Sequence, residues 1–222
     1  MSDGSSDDRE YFRQEALGAF AHEIRTPLTS LRMVVELARR EGENDMLVLD
    51  EELASMLHQS ISDLQQLADD LQEQSRLERG RAPLGSGPCE LAAAVEAARE
   101  MLRPAVNLHG DARPAVEGPW DATRLVKAIA GFAESANRIG DGSGDVRLES
   151  DTGPDGVRLR FSSGSPGGSP RPMAADAGFA FFRARQYVLA VGGRVECHRG
   201  DRSVVISVTL PRNELPAQDT EQ

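Results

Sequence analysis

The sequence predicts an α+β protein: an N-terminal antiparallel helical hairpin, doubled by a second copy into a four-helix bundle, then a sandwich of helices on a mainly antiparallel sheet. Three observations predict it. Apolar residues recur in steps of three and four at Leu17, Phe20, Ile24, Leu28, Leu31, Val35 and Ala38, the spacing of a bundle seam. A second such run follows at Leu53, Leu57, Ile61, Leu64, Ala68 and Leu71, and two helices alone cannot enclose these seams, so a homodimer is expected. Beyond the Gly- and Pro-rich stretch "RAPLGSGPCE" the texture changes to short helices and runs of period two separated by turns.

In chain order, residues 1–8 read as a disordered acidic lead. The first helix covers about Asp8 to Arg40, "EGENDMLVLD" interrupts the pattern, and the second helix ends near Gly80, a residue suited to a C-terminal cap. Residues 9–80 therefore form the hairpin, 81–88 a linker and 89–212 the second domain. There, Leu91 to Leu102 reads as a helix, as does Asp121 to Ile139, with Leu125, Ile129, Phe132, Ala136 and Ile139 on one face and Asp121 as N-cap. "VRLES" and "GVRLRFSS" read as strands around the turn "DTGPDG". After the loop "SGSPGGSPRP" comes a helix from about Ala177 to Ala190, and "GRVECHR" and "SVVISVTLP" close the domain as a hairpin around "GDR". Residues 213–222 are a polar, flexible tail. Trp120 is expected to anchor a helix start, and Phe179, Phe181 and Phe182 to lie in the core.

Composition excludes several classes of function. The 222 residues are 39% hydrophobic and 27% charged, and no run approaches the roughly 18 to 20 apolar residues of a membrane span. No secretion signal opens the sequence. A net charge of -11 argues against sequence-independent nucleic-acid binding, which needs basic contacts to phosphate, and suits solubility. Cys89 and Cys197 stand far apart, without the spacing of a zinc site or a disulfide framework, so a reducing cytoplasm is expected. His58, His109 and His198 have no ligand partners at metal spacing.

"FAHEIRTPLTSL", Phe20 to Leu31, is different. At about 100° per residue, Ile24 and Leu28 lie on the seam and His22 points to nearly the opposite side, into solvent. Thr26 follows four residues on, on the same exposed face, and Glu23 flanks the imidazole. Pro27 has no N–H to give the Glu23 carbonyl, and its ring is expected to bend the helix beside His22. A solvated neutral imidazole is a nucleophile near pH 7, and a neighbouring carboxylate can accept its other proton or hold its tautomer.

This stretch closely resembles the H-box of bacterial sensor histidine kinases, in which the histidine is the phosphoacceptor. The resemblance implies a dimerisation and histidine-phosphotransfer hairpin. It assigns proton transfer to Glu23 and, to Thr26, help in hydrolysing the phosphoryl group of a partner response regulator. Arg13, Arg25 and Arg32 are candidate contacts to that partner. The second domain resembles the Bergerat-type ATP-binding domain of the same kinases: "PWDATRLVKAIAGFAESANR" is similar to the N-box helix and "VGGRVECHRGDRSVVISVTLP" to the closing strands.

The family's nucleotide ligands are replaced. Gly131 and Ser135 stand where the N-box carries two asparagines, and Asn137 faces some 200° away from the second. Ser162 takes the place of the aspartate that reads adenine; Gly164 remains, but Pro166 replaces the next glycine. In the phosphate-cradling motif Gly178 remains and is followed by Ala180, Phe181 and Phe182, which obstruct the approach of phosphate to backbone N–H groups. The segment from about Gly164 to Ala177 is too short for the usual lid. Glu134 is the only obvious magnesium ligand left in that helix.

Three damaged motifs predict a chain that holds no ATP and no metal of its own and takes phosphate from elsewhere. The expected function is that of a dimeric histidine phosphotransferase. His22 takes phosphate from the aspartate of one response-regulator receiver and passes it to another, with Mg²⁺ supplied by the receiver. One alternative is a regulatory pseudokinase that binds a receiver or a sensor kinase and acts as a phosphatase or sequestering module. A second is a divergent active kinase; with only about ten residues ahead of the first helix, it would need its input supplied in trans.

Overall fold

The computed structural model describes residues 4–41, 47–82, 87–110, 116–164, 177–200 and 203–212. The expected tail at 213–222, the first three residues of the lead, residues 83–86 of the linker and nearly all of the Gly164–Ala177 segment, Pro166 included, lie outside them. The chain forms two compact units, Met1–Glu73 and Gln74–Gln222.

The first unit is built from α1 (Gly4–Glu41) and most of α2 (Glu51–Glu78). Helix α1 starts earlier than expected, so residues 4–8 are helical and not a disordered lead. An acidic run suits the positive end of a helix as well as it suits disorder. Val48 N–H donates to the Ala38 carbonyl at 3.1 Å as the chain reverses. Helix α2 begins where Asp50 Oδ1 accepts from Leu53 N–H at 2.7 Å, with Glu51 and Glu52 in its first turn. It ends as expected at Gly80. There φ is +63°, Gly80 N–H donates to Leu77 O and Arg81 N–H donates to Arg76 O. Near the turn the two helices pack through Val34, Ala38 and Leu53, with Leu37, Met56 and Leu57 around them.

The apolar pattern of α1 resolves into two stripes that the sequence reading merged. Ala16, Ala19, Pro27, Val34 and Ala38 are buried within the chain. Leu17, Leu28 and Val35, all expected on the seam, are 52%, 50% and 40% exposed, as is Ile61 on α2 at 42%. Small residues allow close approach inside the chain and leave the larger ones on an adjacent, open stripe.

The second unit is a five-stranded sheet covered on one face by three helices. Helices α3 (Leu91–Leu102) and α5 (Phe179–Ala190) flank α4 (Ala122–Ile139). The strands are β2 (Asn107–His109), β4 (Asp145–Gly153), β5 (Gly156–Gly164), β6 (Arg194–Arg199) and β7 (Ser203–Leu210), in the order β2-β4-β5-β7-β6. β2 runs parallel to β4 and every other pairing is antiparallel. A two-stranded ladder, β1 (Cys89–Glu90) with β3 (Glu117–Gly118), lies beside it. Both hairpins read from the sequence are present; β1, β2 and β3 were not foreseen. His109 and His198 consequently lie in strands, and His109 Nε2 meets Asp145 Oδ1 at 2.9 Å.

Strand alternation sorts the sheet residues. Val146, Leu148, Val157, Leu159, Phe161, Val204, Ile206, Val208 and Leu210 are buried, while Arg147, Glu149, Arg158 and Arg160 between them are exposed. The five α4 residues expected on one face are all buried, and Ala128, Ala130, Gly131, Ala133 and Ser135 join them because α4 is the central helix. Trp120 is buried and donates from Nε1 to the Pro211 carbonyl at 2.9 Å, tying the end of β7 to the start of α4, and Asp121 Oδ1 caps Arg124 N–H at 2.9 Å. The Tyr187 hydroxyl of α5 meets Asp121 N–H at 3.1 Å, and burial with Asp121 nearby pushes its ionisation well above the usual phenol range.

Neither cysteine is in a disulfide. Burial pushes Cys197 up to about 11 and raises Cys89, to which the charges of Asp121 and Glu90 add. At pH 8 a thiol near 11 is thiolate in only about one molecule in a thousand, so iodoacetamide should alkylate native Cys197 about 100-fold more slowly than in urea. Equal rates in the two conditions, read by mass spectrometry, would contradict this packing. The sign for stability follows: a neutral thiol favours the fold below the unfolded value near 9, and this contribution is lost as pH rises towards 11.

Candidate functional site

Helix α1 continues through Pro27, whose ring is buried. His22 stands exposed on the outer side of this continuous helix, with Thr26 exposed one turn further on and Glu23 half-buried beside it. The Thr29 hydroxyl donates to the Arg25 carbonyl at 2.8 Å, inside the turn that follows. Arg13, Arg25 and Arg32 are all exposed, and Arg32 Nε pairs with Glu36 at 3.2 Å. The H-box residues thus share one accessible stretch of helix. No described helix is long and apolar enough to cross a membrane.

In the second unit Gly131 and Ser135 are both buried on α4. Gly131 lies on α4 so close to α5 that a Cβ placed there would stand 2.9 Å from the Ala180 carbonyl oxygen and 3.4 Å from Ala180 Cβ. An asparagine cannot enter without moving backbone. Ser135 is buried and donates back to the Gly131 carbonyl at 2.6 Å, closing its hydroxyl on its own helix. Asn137 accepts Gly144 N–H at 2.8 Å and so serves the α4–β4 connection. Glu134 is exposed.

Along β5, alternation turns Ser162 outward, where its hydroxyl donates to Arg147 O at 3.5 Å. The serine on the helix side is Ser163: it is buried, donates to Asp141 Oδ1 at 3.4 Å, and lies against Gly140. Neither serine offers a carboxylate. Asp141, which the sequence did not single out, is held below the usual carboxylate range chiefly by hydrogen bonds from Ser143, with Ser163 contributing. Gly164 ends β5, and Gly178 precedes α5 with its carbonyl accepting from Phe181 N–H at 3.2 Å.

The phenylalanines of α5 are core, as expected. Phe181 packs edge-on against Phe132 with ring centres 5.8 Å apart, Phe132 against Phe161 at 5.8 Å, and Phe182 against Phe181 at 5.5 Å. This column joins sheet, α4 and α5. Among the described residues no three His, Cys, Asp or Glu side chains gather as a metal site. Among the described residues neither Gly131 nor Ser135 offers an amide ligand for Mg–ATP, and α5 occupies the space in front of Gly131. Gly131→Asn is expected to cost about 1–3 kcal/mol by overpacking and to restore no nucleotide binding, which urea denaturation and calorimetry would check.

Comparison with known proteins agrees with this anatomy. Residues 12–80 match the His Kinase A (phospho-acceptor) domain. No curated protein sequence matches the chain. Among solved structures, it is similar to the histidine kinase AdeS of Acinetobacter baumannii, with 18% identity and a TM-score of 0.64 over 87% of this chain and 98% of that one. It is also similar to the histidine kinase ThkA in a complex with the response regulator protein TrrA, with 17% identity and a TM-score of 0.58 over 93% of this chain and 64% of that one. Full-length ShkA in complex with AMPPNP matches with 19% identity and a TM-score of 0.55 over 92% of this chain and 47% of that one. At these identities the likeness is one of fold. Residues 12–80 thus carry a His Kinase A phospho-acceptor domain, and the chain as a whole has the fold seen in solved histidine kinases.

Proposed function

We propose that this two-component protein is a histidine phosphotransferase: His22 accepts a phosphoryl group from the aspartate of one response-regulator receiver and donates it to another, with no nucleotide of its own. The reading is supported by one contrast. The phospho-acceptor imidazole is exposed, whereas α5 packs on Gly131 where a nucleotide-binding relative would carry asparagine. In the forward step a ring nitrogen of neutral His22 attacks phosphorus, the P–O bond to the receiver aspartate breaks, and the carboxylate leaves with the electron pair. Glu23 accepts the proton released by the other ring nitrogen. Mg²⁺, when the receiver carries it, neutralises the phosphoryl oxygens. Arg13, Arg25 and Arg32 contact the receiver.

The open stripe of Leu17, Leu28, Val35 and Ile61, which a second copy would cover, supports a homodimer. Two cysteines outside any disulfide suit a cytoplasmic protein. The exposed Thr26, one turn from His22, favours a second reading in which the chain instead dephosphorylates a receiver. A pulse-chase separates the two. Transfer predicts that ³²P moves from a phospho-receiver to the chain and then to a second receiver. Loss of receiver label as free phosphate, with none on the chain and the effect abolished by Thr26→Ala, would replace transfer by hydrolysis.

A further inference from the structure

We propose that the second unit carries a binding site for phosphate, free or as a small monoester, in the cleft between the end of α3 and β2. The site lies within the second unit alone, and the inference does not rest on the phosphotransfer reading. The cleft measures about 260 Å³ and is lined by Arg99 and Arg103 from the α3 side and by Asn107, His109 and Gly110 from the β2 side. In a chain of net charge -11, this lining brings together two arginines and a histidine and, among its described residues, no carboxylate.

Local structure builds the cleft. Arg99 lies in the last turn of α3, Arg103 is its C-cap residue, and β2 is the outermost described strand of the sheet on that side. The chain turns at Gly110, where φ is +101° and a Cβ would stand 2.0 Å from the Leu148 carbonyl oxygen, a place that only glycine can take. The Arg99 side chain is 17% exposed, and its Nε donates to the Leu108 carbonyl at 3.0 Å. That bond ties helix to strand and fixes the plane of the guanidinium. Asp145 Oδ1 lies 2.9 Å from His109 Nε2 and 3.3 Å from Asn107 Nδ2, which steadies both side chains. The helix dipole favours cations beside the last carbonyls of α3, but it does not account for a guanidinium held inward against β2.

The chemistry points to a phosphate dianion. Arg99 pairs with Glu96, and Arg103 with Glu100 at 3.2 Å. These carboxylates are 66% and 71% exposed, and ion pairs in water hold weakly. A phosphate that reaches two guanidiniums together gains charge-assisted, bidentate hydrogen bonds and releases the carboxylates to solvent. The volume is below the roughly 300 to 1,000 Å³ of sites for drug-sized ligands, so the group attached to phosphate is no larger than a sugar.

The test titrates the full chain, at constant ionic strength, with inorganic phosphate, ribose 5-phosphate and ribose, following backbone amide NMR shifts. Saturating shifts confined to residues 99–110 are expected with both phosphates and none with ribose. Ribose 5-phosphate binding at least about tenfold tighter than phosphate assigns an ester as the ligand, and a smaller difference assigns the phosphate group alone. Arg103→Gln, at a side chain 67% exposed and therefore harmless to the fold, should weaken binding at least about fivefold. Arg99→Lys, which keeps the charge and loses the planar fork, should weaken it about tenfold. Arg158→Gln, at an exposed arginine on β5, should leave affinity unchanged. Failure to saturate by about 20 mM, shifts that map outside the cleft, or an equal loss in Arg158→Gln overturns the inference.

Discussion

His22→Ala should take up no label from any phospho-receiver while melting as the wild type does. The expected loss of transfer is complete, because a methyl group supplies no electron pair for phosphorus. The expected change in stability is small, within about 0.5 kcal/mol, because the imidazole is exposed and alanine favours a helix. Circular dichroism and a phosphotransfer gel on one preparation read both quantities. Label persisting on the variant would move the acceptor to another side chain, His58 being the other imidazole on the hairpin. That ring is already engaged, with Nδ1 2.9 Å from the Ala54 carbonyl.

Phe132→Ala should destabilise the second unit by about 3–5 kcal/mol, the largest stability effect expected of any single truncation. Phe132 is 1% exposed and stands between Phe161 of the sheet and Phe181 of α5, so its removal empties the middle of a three-layer column. Two-stage urea unfolding, with the loss confined to one transition, is the expected readout. Phe182→Ala should cost less, since Phe182 sits at the end of the column and touches Phe181 alone among the described ring pairs. If Phe132→Ala were nearly neutral, the α4–α5 packing that fills the space before Gly131 would be far looser than described. The case against nucleotide would weaken with it.

The hairpin was legible because period, proline and histidine act locally: solvation of His22 follows from its angular distance from Ile24, whatever the rest of the chain does. The split of α1 into a buried stripe of small residues and an open stripe of large ones was not. Ala16 and Ala19 carry too little apolar surface to announce a contact that depends on how closely two helices approach. Helix α4 was bounded almost to the residue because Asp121 caps and Gly140 stops it, both short-range effects. Strand β2 escaped notice because three residues pairing in parallel with a strand some forty positions away leave no local signature.

At the nucleotide place, the absence of asparagine and aspartate could be read directly, but the approach of Ala180 to Gly131 could not. Spacing alone cannot say which of two adjacent serines faces inward; strand alternation turns Ser163, not Ser162, towards α4.

The central claim is that phosphate reaches His22 from a partner's aspartate and not from nucleotide held in the second unit. Its most direct test compares two labelled donors in one experiment. The wild-type chain is incubated with [γ-³²P]ATP and Mg²⁺, or with ³²P-labelled phospho-receiver and Mg²⁺, and the labelled peptide is sequenced. The account predicts label at His22 from the receiver and none from ATP at millimolar concentration. Label at His22 from ATP alone would contradict it.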